Sequence, residues 1–458
     1  MQNATDYDVL IIGGGQAGIP LAYKLAGEGR TVALAERKDL GGSCVNFGCS
    51  PTKAAIASAK VAFQARRASE YGIEIPEVRV DFPAVLRRAR GVAETKRAGL
   101  DKGLEGAENP VLIRDHARLE GREDAGFRVS VGDRSLLVGQ VVVNTGTRTL
   151  IPPIEGLEDV DYIDAGNWMN REELPGHLAI VGGSYIGLEM AQFYRRMGSD
   201  VTVVVGSSDH VTSGEDDDVS EAMRGILAEE GVEFVFCERA RKVAADGGGI
   251  TLALDGEDPA EVRATHLFLA TGRRPNTDDL GLENVGLETD KRGFIETDER
   301  LATSVEGIWA GGDIRGGLMF THTSYDDHRV LLSQMAGDGS RTTDRVVPYG
   351  IFTDPELGRV GMTERGAREA GYEVEVHRLD MEGEKGKAFE LGENKGFIKV
   401  VADASNDRVL GAAVLTAEGA ELVHVYLDLM NADLPLSVVR DGVYAHPTLA
   451  EDIQSAVS

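Results

Sequence analysis

With 458 residues, the chain is too long for one hydrophobic core and suits about three domains. Its formal net charge of -28 repels nucleic-acid phosphates and anionic lipid, so we expect neither nucleic acid nor membranes as partners. No apolar run is long enough to cross a membrane and the first residues lack a signal peptide, so the sequence predicts a cytoplasmic protein.

Arginine outnumbers lysine among the basic residues, since only 12 of these 48 residues are lysine. An acidic, lysine-poor surface suits a salt-rich cytoplasm, where such charge is screened and keeps a protein in solution. An ordinary acidic surface, combined with the base composition of the genome, explains the same numbers. Both interpretations stay open at this stage.

The chain opens with a complete dinucleotide-binding pattern. Residues 7–12, YDVLII, form a β-branched run, and a segment with helical periodicity follows. The turn between them contains Gly13, Gly15 and Gly18, and a second predicted strand delivers an acid, Glu36, about 20 residues further on. Such glycines let the backbone approach a pyrophosphate at a helix N-terminus, and the acid can accept hydrogen bonds from a ribose diol.

A pair of cysteines follows directly, in residues 41–53, GGSCVNFGCSPTK. Cys44 and Cys49 can form a reversible disulfide, although their spacing alone equally allows a redox switch or half of a metal site. Because two cysteines without other nearby ligands fill only half of a tetrahedral site, we expect no metal. The alanine-rich segment after Lys53 predicts a helix that begins at or within this stretch. A helix N-terminus and a nearby cation both favour the reactive thiolate.

The dinucleotide pattern recurs in residues 178–208, where strand, turn, helix and second strand repeat. Gly182 and Gly187 fill the outer positions of the turn, and Ser184 takes the place of the middle glycine. A chain with two such sites most simply binds one flavin and one nicotinamide nucleotide.

The segment CVNFGCSPTK resembles the active site of the class I flavoprotein disulfide reductases, the family of glutathione reductase, dihydrolipoyl dehydrogenase and mercuric reductase. The resemblance extends along nearly the whole chain. It implies an α/β fold with two Rossmann-like domains, one for FAD and one for NAD(P)H, and a C-terminal α+β dimerisation domain. The implied boundaries are 1–146 and 265–343 for the FAD-binding domain, 147–264 for the NAD(P)H-binding domain and 344–458 for the dimerisation domain of a homodimer.

The resemblance also implies roles for five residues around the flavin. Cys49 is the flavin-facing, charge-transfer thiol, and Cys44 is the interchange thiol that attacks the substrate. Lys53 lies beside the flavin N5 and pairs with Glu189. Tyr185 resembles the gate residue that covers the flavin until nicotinamide arrives.

The chain ends in YAHPTLAEDIQSAVS, where His446 and Glu451 match the His-Glu dyad of the family. In relatives this dyad reaches across the dimer to the cysteines of the other subunit. An imidazole with an ordinary pKa of about 6.5 can take the proton of an attacking thiol and return it to a leaving group. The carboxylate of Glu451 would hold the imidazole tautomer and stabilise its cation.

Further cofactor contacts follow from the same resemblance. The segment at Ala117 resembles one that contacts the adenine, and Asp313 resembles the aspartate that binds the ribityl chain. Asn144 departs from the family, which usually has alanine there. The implied cofactor-binding residues are Gly13, Gly15, Gly18, Glu36, Gly42, Ser43, Lys53, Ala117, Thr145, Gly146, Gly182, Ser184, Gly187, Gly272, Asp313 and Thr321.

The choice of nicotinamide cofactor is indicated at the end of the second strand of the repeat. NADH-specific relatives place an acid where this chain has Val205. The residues that follow offer hydroxyls and one titratable donor, namely Gly206, Ser207, Ser208 and His210. We therefore expect NADPH, with NADH possible.

The segment GGLMFTHTSYDDHR, residues 316–329, resembles the reactive-chlorine-resistance flavoproteins, which reduce hypothiocyanous acid. We therefore expect a small oxidised electrophile as the substrate. Dihydrolipoyl dehydrogenase is an alternative, because it also uses the His-Glu dyad. A mercuric reductase would have tyrosine at the position of His446 and a C-terminal cysteine pair, and both are missing. An electron donor or redox sensor for a protein partner is the remaining alternative.

Overall fold

The computed structural model describes residues 5–206, 208–256, 260–383 and 386–458. Its first part alternates strands and helices, as the β-branched runs and glycine turns predict. The elements of this part are β1 (Tyr7–Ile12), α1 (Gly18–Gly27), β2 (Val32–Ala35), α2 (Gly42–Asn46), α3 (Cys49–Arg66), α4 (Phe82–Glu105), β3 (Val111–Ile113), β4 (Ala117–Glu123), β5 (Gly126–Val131), β6 (Arg134–Val143) and β7 (Thr147–Thr149).

The first sheet has a parallel core in the order β3-β2-β1-β6, and β5 and β4 extend it as an antiparallel meander. Apolar clusters cover both faces of this core, with Leu10 of β1 on one side and Ile11 on the other. Burial on both faces explains why these strands are continuous apolar runs rather than alternating ones.

The second part repeats the arrangement. Its elements are β8 (Ile163–Asp164), β9 (His177–Val181), α5 (Tyr185–Met197), β10 (Asp200–Gly206), α6 (Asp217–Glu229), β11 (Val232–Cys237), β12 (Arg239–Asp246), β13 (Gly249–Asp255), β14 (Glu261–Ala264) and β15 (His266–Leu269). A parallel sheet in the order β11-β10-β9-β15-β8 forms its centre, and the antiparallel strands β12, β13 and β14 pack against that sheet.

The strand β15 corrects the predicted end of the NAD(P)H-binding domain. It pairs in parallel with β9 and β8, so the second sheet extends to residue 269, beyond the boundary predicted at residue 264. Burial on both faces gives β15 the same apolar pattern as a strand of the first sheet, so its sequence does not indicate which sheet it joins. The other domain boundaries stay predictions.

The chain then returns to the first sheet through β16 (Arg273–Pro275), which pairs with β7. β17 (Ile308–Ala310) lies parallel to the end of β6, and α7 (Thr321–Ala336) follows it. The last residues of β6 and β17 therefore lie side by side at the carboxyl ends of the parallel strands.

The final part forms an antiparallel sheet in the order β18-β19-β22-β21-β20, with helices packed against it. Its elements are β18 (Tyr349–Ile351), β19 (Glu356–Gly361), α8 (Glu364–Glu369), β20 (Val374–Asp380), α9 (Gly386–Glu390), β21 (Phe397–Asp403), β22 (Arg408–Thr416), α10 (Gly419–Leu422), α11 (His424–Ala432), α12 (Ser437–Arg440) and α13 (Leu449–Ser455). The expected α/β fold with a C-terminal α+β part is confirmed. Among the described helices, none is long and apolar enough to cross a membrane.

Candidate active site

A cavity of about 880 Å³ brings together segments that are far apart in sequence. Its walls come from the first glycine turn, the cysteine helix, the start of α5, the start of α7 and the loop after β18. The residues predicted from sequence that line it are Gly13, Gly15, Glu36, Gly42, Ser43, Cys44, Cys49, Lys53, Ala117, Thr145, Gly146, Tyr185, Glu189, Asp313 and Thr321. The predicted residues outside its lining are Gly18, Gly182, Ser184, Gly187, Gly272, His446 and Glu451.

Two helices begin at the thiol of Cys49. Cys49 is the first residue of α3, and Thr321 is the first residue of α7. The Thr321 hydroxyl lies 3.1 Å from the Cys49 sulfur. Because a helix N-terminus carries partial positive charge, both helices favour a negative charge on this sulfur.

The two active-site thiols have opposite pKa shifts. Cys44 donates a hydrogen bond to Cys49, and this bond is the main reason why the pKa of Cys49 is lowered to about 6. The Thr321 hydroxyl and the charge of Lys53 lower that pKa further, against the effects of burial and of Glu189. The same hydrogen bond, together with burial, raises the pKa of Cys44. At neutral pH Cys49 is therefore a thiolate and Cys44 a thiol.

The predicted pairing of Lys53 with Glu189 is present. Lys53 Nζ lies 2.7 Å from Glu189 Oε2, and Glu189 Oε1 accepts a hydrogen bond of 2.9 Å from the Phe352 backbone N–H. The ammonium group also lies over the Phe352 ring, 4.5 Å from its centroid. Because Glu189 is only 4% exposed, this ion pair fixes the lysine against the cavity wall.

Tyr185 belongs to an aromatic group that the sequence did not single out. Its ring lies 5.8 Å from that of Phe320, which stacks on Tyr349 at 5.1 Å and on His322 at 5.5 Å. The Tyr349 hydroxyl donates to the buried carboxylate of Glu215. Burial raises the pKa of Tyr185, so its phenol is neutral. These side chains form an apolar wall on which the predicted gate residue rests.

The first glycine turn fits the diphosphate of a flavin nucleotide. A Cβ on Gly13 would lie 2.3 Å from the Asn144 carbonyl oxygen, and one on Gly18 would lie 2.1 Å from the Gly13 carbonyl oxygen, so neither position accepts a side chain. In the described part of the chain, no protein group accepts a hydrogen bond from the N–H of Gly15 or Gln16. These N–H groups are therefore available to an anion at the start of α1.

Glu36 is held close to this turn. Its Oε2 accepts a hydrogen bond of 2.8 Å from the Gly14 N–H, and its Oε1 accepts one of 2.7 Å from the Lys38 N–H. Each carboxylate oxygen keeps a second lone pair for a ribose hydroxyl. The position at the end of β2 is thus the one expected for a ribose contact.

The second glycine turn follows the same steric rule. A Cβ on Gly182 would lie 2.3 Å from the Ala270 carbonyl oxygen, and one on Gly187 would lie 2.0 Å from the Gly182 carbonyl oxygen. Ser184 has an extended backbone, with φ at -92°, which any residue can adopt. Serine is therefore tolerated at the middle position, where the backbone imposes no glycine.

Asp313 lies in the cavity wall and is held by two hydroxyl groups. Asp313 accepts hydrogen bonds from the Ser324 hydroxyl at 3.0 Å and from the Thr147 hydroxyl at 3.2 Å. Asp313 is thus in position to contact a polyol chain.

Gly272 lies outside the cavity wall, where the chain crosses back beside β7. Its φ is 107°, and its carbonyl oxygen accepts a hydrogen bond of 3.0 Å from the Leu150 N–H.

His446 and Glu451 form a dyad away from this cavity. His446 Nδ1 lies 2.8 Å from Glu451 Oε2, and the His446 side chain is 76% exposed. Within one subunit the dyad therefore has its carboxylate partner but not the cysteines. Its predicted action on the other subunit stays a prediction.

The predicted nicotinamide-specificity residues are only partly described. Ser207 lies outside the described residues. His210 Nε2 lies 3.7 Å from Asp209 and 3.8 Å from Asp217, and the Ser208 hydroxyl donates to the His210 carbonyl oxygen at 2.9 Å. Within the described ranges, no three His, Cys, Asp or Glu side chains form a group that could hold a metal ion.

Comparison with known proteins agrees with this geometry. Residues 7–327 match the family described as pyridine nucleotide-disulphide oxidoreductase, and residues 347–457 match the dimerisation domain of the same name. The chain belongs to the pyridine nucleotide-disulphide oxidoreductases. It is therefore an enzyme and a flavoprotein disulfide oxidoreductase of a family that uses FAD and NAD(P)H, and its dimerisation domain supports a homodimer.

Three relatives of this oxidoreductase are similar over nearly their whole length. RclA of Escherichia coli, a probable pyridine nucleotide-disulfide oxidoreductase, is 32% identical over 99% of both chains, and its solved structure has a TM-score of 0.88 and covers 98% of this chain and 99% of that one. Mercuric reductase of Streptomyces lividans is 33% identical over 100% of this chain and 96% of its own. Dihydrolipoyl dehydrogenase of Haloferax volcanii is 33% identical over 99% of this chain and 96% of its own.

Several residues of the oxidoreductase cavity escaped the sequence analysis. Phe320 and Tyr349 build the wall beside Tyr185, and His322 and His424 also line the cavity. Phe320 and His322 stand within the segment 316–329, whose resemblance to the reactive-chlorine-resistance flavoproteins was the only available signal.

Proposed function

We propose that the enzyme uses NADPH, FAD and the Cys44–Cys49 pair to reduce a small oxidised electrophile, with hypothiocyanous acid as the first candidate. The observation that carries the proposal is the pair of thiols with opposite pKa shifts in one cavity with Lys53 and Glu189. This arrangement suits a Cys44 thiol that attacks once His446 has taken its proton, and a Cys49 thiolate that resolves the product.

The residues can carry the reaction in two balanced steps. Cys44 attacks the sulfur of hypothiocyanous acid, the S–O bond breaks, and the thiol proton leaves with the oxygen as water. The Cys49 thiolate then attacks the Cys44 sulfur, so that the disulfide forms and thiocyanate leaves with the electron pair. His446, acting across the dimer, takes the thiol proton and returns it to the departing oxygen.

FAD, when bound, would supply the two electrons that return the disulfide to thiols, and NADPH would be their source. The glycine turn of residues 13–18 would hold its diphosphate, Glu36 a ribose and Asp313 the ribityl chain. Lys53 would lie beside the isoalloxazine ring, and Tyr185 would exclude water from the ring until the nicotinamide enters.

Support for a small oxidant comes from the relatives and from the chain itself. The solved relative RclA is described as a HOCl-induced flavoprotein disulfide reductase. The third cysteine, Cys237, ends β11 in the second part of the chain, away from the cavity, so no further thiol is available to pass a soft metal inward. Mercury reduction is therefore the weaker candidate.

Dihydrolipoyl dehydrogenase is the second candidate function. The Haloferax volcanii relative with this activity is as similar as RclA, with 33% against 32% identity, so identity does not separate the two. The exposed dyad of His446 and Glu451 suits both reactions. Val205 and Gly206 leave the end of β10 without a carboxylate for the ribose 2'-hydroxyl, which favours NADPH over NADH.

The deciding experiment measures initial rates of NADPH and NADH oxidation side by side on one holoenzyme preparation. The oxidants are hypothiocyanous acid, lipoamide, oxidised glutathione, mercuric ion and Cu(II), the last because RclA has been solved as a Cu(II) complex. We expect fast turnover only with NADPH and hypothiocyanous acid, and none in the Cys44→Ser control. Fast lipoamide turnover with NADH would overturn the proposal, and inactivity with all five oxidants would point to a protein partner.

A further inference from the structure

The side chain of Asn144 connects two separate turns of the first sheet. Its Oδ1 accepts a hydrogen bond of 3.0 Å from the Gly18 N–H, and its Nδ2 donates one of 2.6 Å to the Gly311 carbonyl oxygen. Asn144 is 7% exposed, so both bonds are shielded from water. One buried amide thus joins segments that are 126 and 167 residues away from it.

Both turns reach the cofactor cavity. Gly18 begins α1, whose N-cap residue Ala17 offers no side-chain hydrogen bond. Gly311 directly precedes the short helical turn Gly312–Arg315, which carries Asp313. Asn144 therefore spans from the turn proposed to hold the diphosphate to the one proposed to hold the ribityl chain.

The surrounding backbone is shaped around this amide. A Cβ on Gly312 would lie 2.7 Å from Asn144 Nδ2, and Gly312 has a φ of 75°, which favours glycine. A Cβ on Gly15 would lie 3.2 Å from Asn144 Oδ1. The side chain therefore fills its site closely, and its truncation would leave two buried polar groups of the backbone without their protein partners.

The neutrality of asparagine matters at this position. It satisfies the Gly18 N–H at the start of α1 without adding negative charge, and it leaves the N–H groups of Gly15 and Gln16 to an anion. A carboxylate of the same shape would repel a diphosphate at the same helix N-terminus and could not donate to Gly311.

We propose that Asn144 is a positioning residue of the flavin site, which sets the spacing between the diphosphate turn and the ribityl turn. The inference rests on the FAD site of the proposed function. In this arrangement a protein amide holds the two turns together.

The test is the dissociation constant of FAD, measured by flavin fluorescence on the full-length dimer after removal and re-addition of FAD. We expect Asn144→Ala to weaken FAD binding by about tenfold, since it loses two buried hydrogen bonds. Asn144→Asp should weaken it more, and added salt should recover part of the loss for Asp but not for Ala, because only Asp introduces a charge.

Ser199→Ala is the matched control, because Ser199 is also buried and its hydroxyl donates to the Pro175 carbonyl oxygen at 2.7 Å in the second domain. It should lower the unfolding temperature and leave FAD affinity unchanged. Unchanged FAD affinity in Asn144→Ala, or an equal loss in Ser199→Ala, would overturn the role of Asn144. No oxidant enters this measurement, so failure of the proposed substrate leaves the test intact, whereas failure of the unsubstituted protein to bind FAD would overturn the flavin site itself.

Discussion

Replacing Thr321 with valine tests what holds the charge on Cys49. Valine keeps the β-branched shape of threonine but removes the hydroxyl that lies 3.1 Å from the Cys49 sulfur. A hydrogen bond to a charged group contributes about 1.5–3 kcal/mol, and one pKa unit corresponds to about 1.4 kcal/mol. Because Cys49 opens onto the cavity, we take the lower end of that range. The pKa of Cys49 should therefore rise by about one unit from its value of about 6.

The assay follows the long-wavelength charge-transfer absorbance between the Cys49 thiolate and FAD in two-electron-reduced enzyme, titrated from high to low pH. The band is present above the pKa of Cys49 and disappears as pH falls through it, so Thr321→Val should lose the band about one pH unit earlier. Thr321→Ser, which keeps the hydroxyl, should titrate like the unsubstituted enzyme. An unchanged midpoint in Thr321→Val, or the same shift in Thr321→Ser, would refute the hydrogen-bond argument.

Four further substitutions test the assigned roles of the thiols, Tyr185 and His446. Cys44→Ser should keep the charge-transfer band and abolish turnover, and the roles of the two thiols are reversed if Cys49→Ser keeps the band instead. Tyr185→Ala should change the rate of flavin reduction by NADPH in stopped-flow measurements. An unchanged rate would mean that the Tyr185 ring makes packing contacts and does not act as a gate. His446→Gln should lower turnover by about 100-fold or more. Mixed dimers of His446→Gln and Cys44→Ser subunits should recover activity, because one of their two sites then has both cysteines and histidine, and inactive mixed dimers would exclude action across the dimer.

The sequence predicted those parts of the fold that depend on local sterics. Gly13 and Gly182 occupy equivalent positions in the two turns, and a Cβ at either would lie 2.3 Å from the carbonyl oxygen of the residue that follows a neighbouring strand. This steric constraint requires a glycine at a fixed number of residues after the β-branched run. The run and the glycine therefore form one local sequence pattern that predicts the strand and its turn. The two nucleotide-binding sheets were therefore predictable from single segments.

Long-range pairings were less accessible. The apolar strand β15 could join either parallel sheet, because burial on both faces gives the two sheets the same pattern. Asn144 stood out only as a departure from the family, since its partners Gly18 and Gly311 lie more than a hundred residues away and offer backbone groups rather than side chains. Because every residue type has a backbone carbonyl and nearly every type has a backbone N–H, such partners cannot be recognised from the amino-acid sequence.

The thiolate shows how the separate parts of the chain combine. Cys44 and Lys53 belong to the cysteine segment, Thr321 comes from the returning part of the chain, and Glu189 comes from helix α5 of the second part. Glu189 opposes the thiolate by its charge but holds the lysine that supports it, so the two effects of this carboxylate partly cancel. Replacing Glu189 with neutral glutamine would remove its repulsion of the Cys49 thiolate, and it would also remove the ion pair that holds Lys53. The charge on Cys49 is consequently a property of the assembled domains, because no single segment supplies the groups that set it.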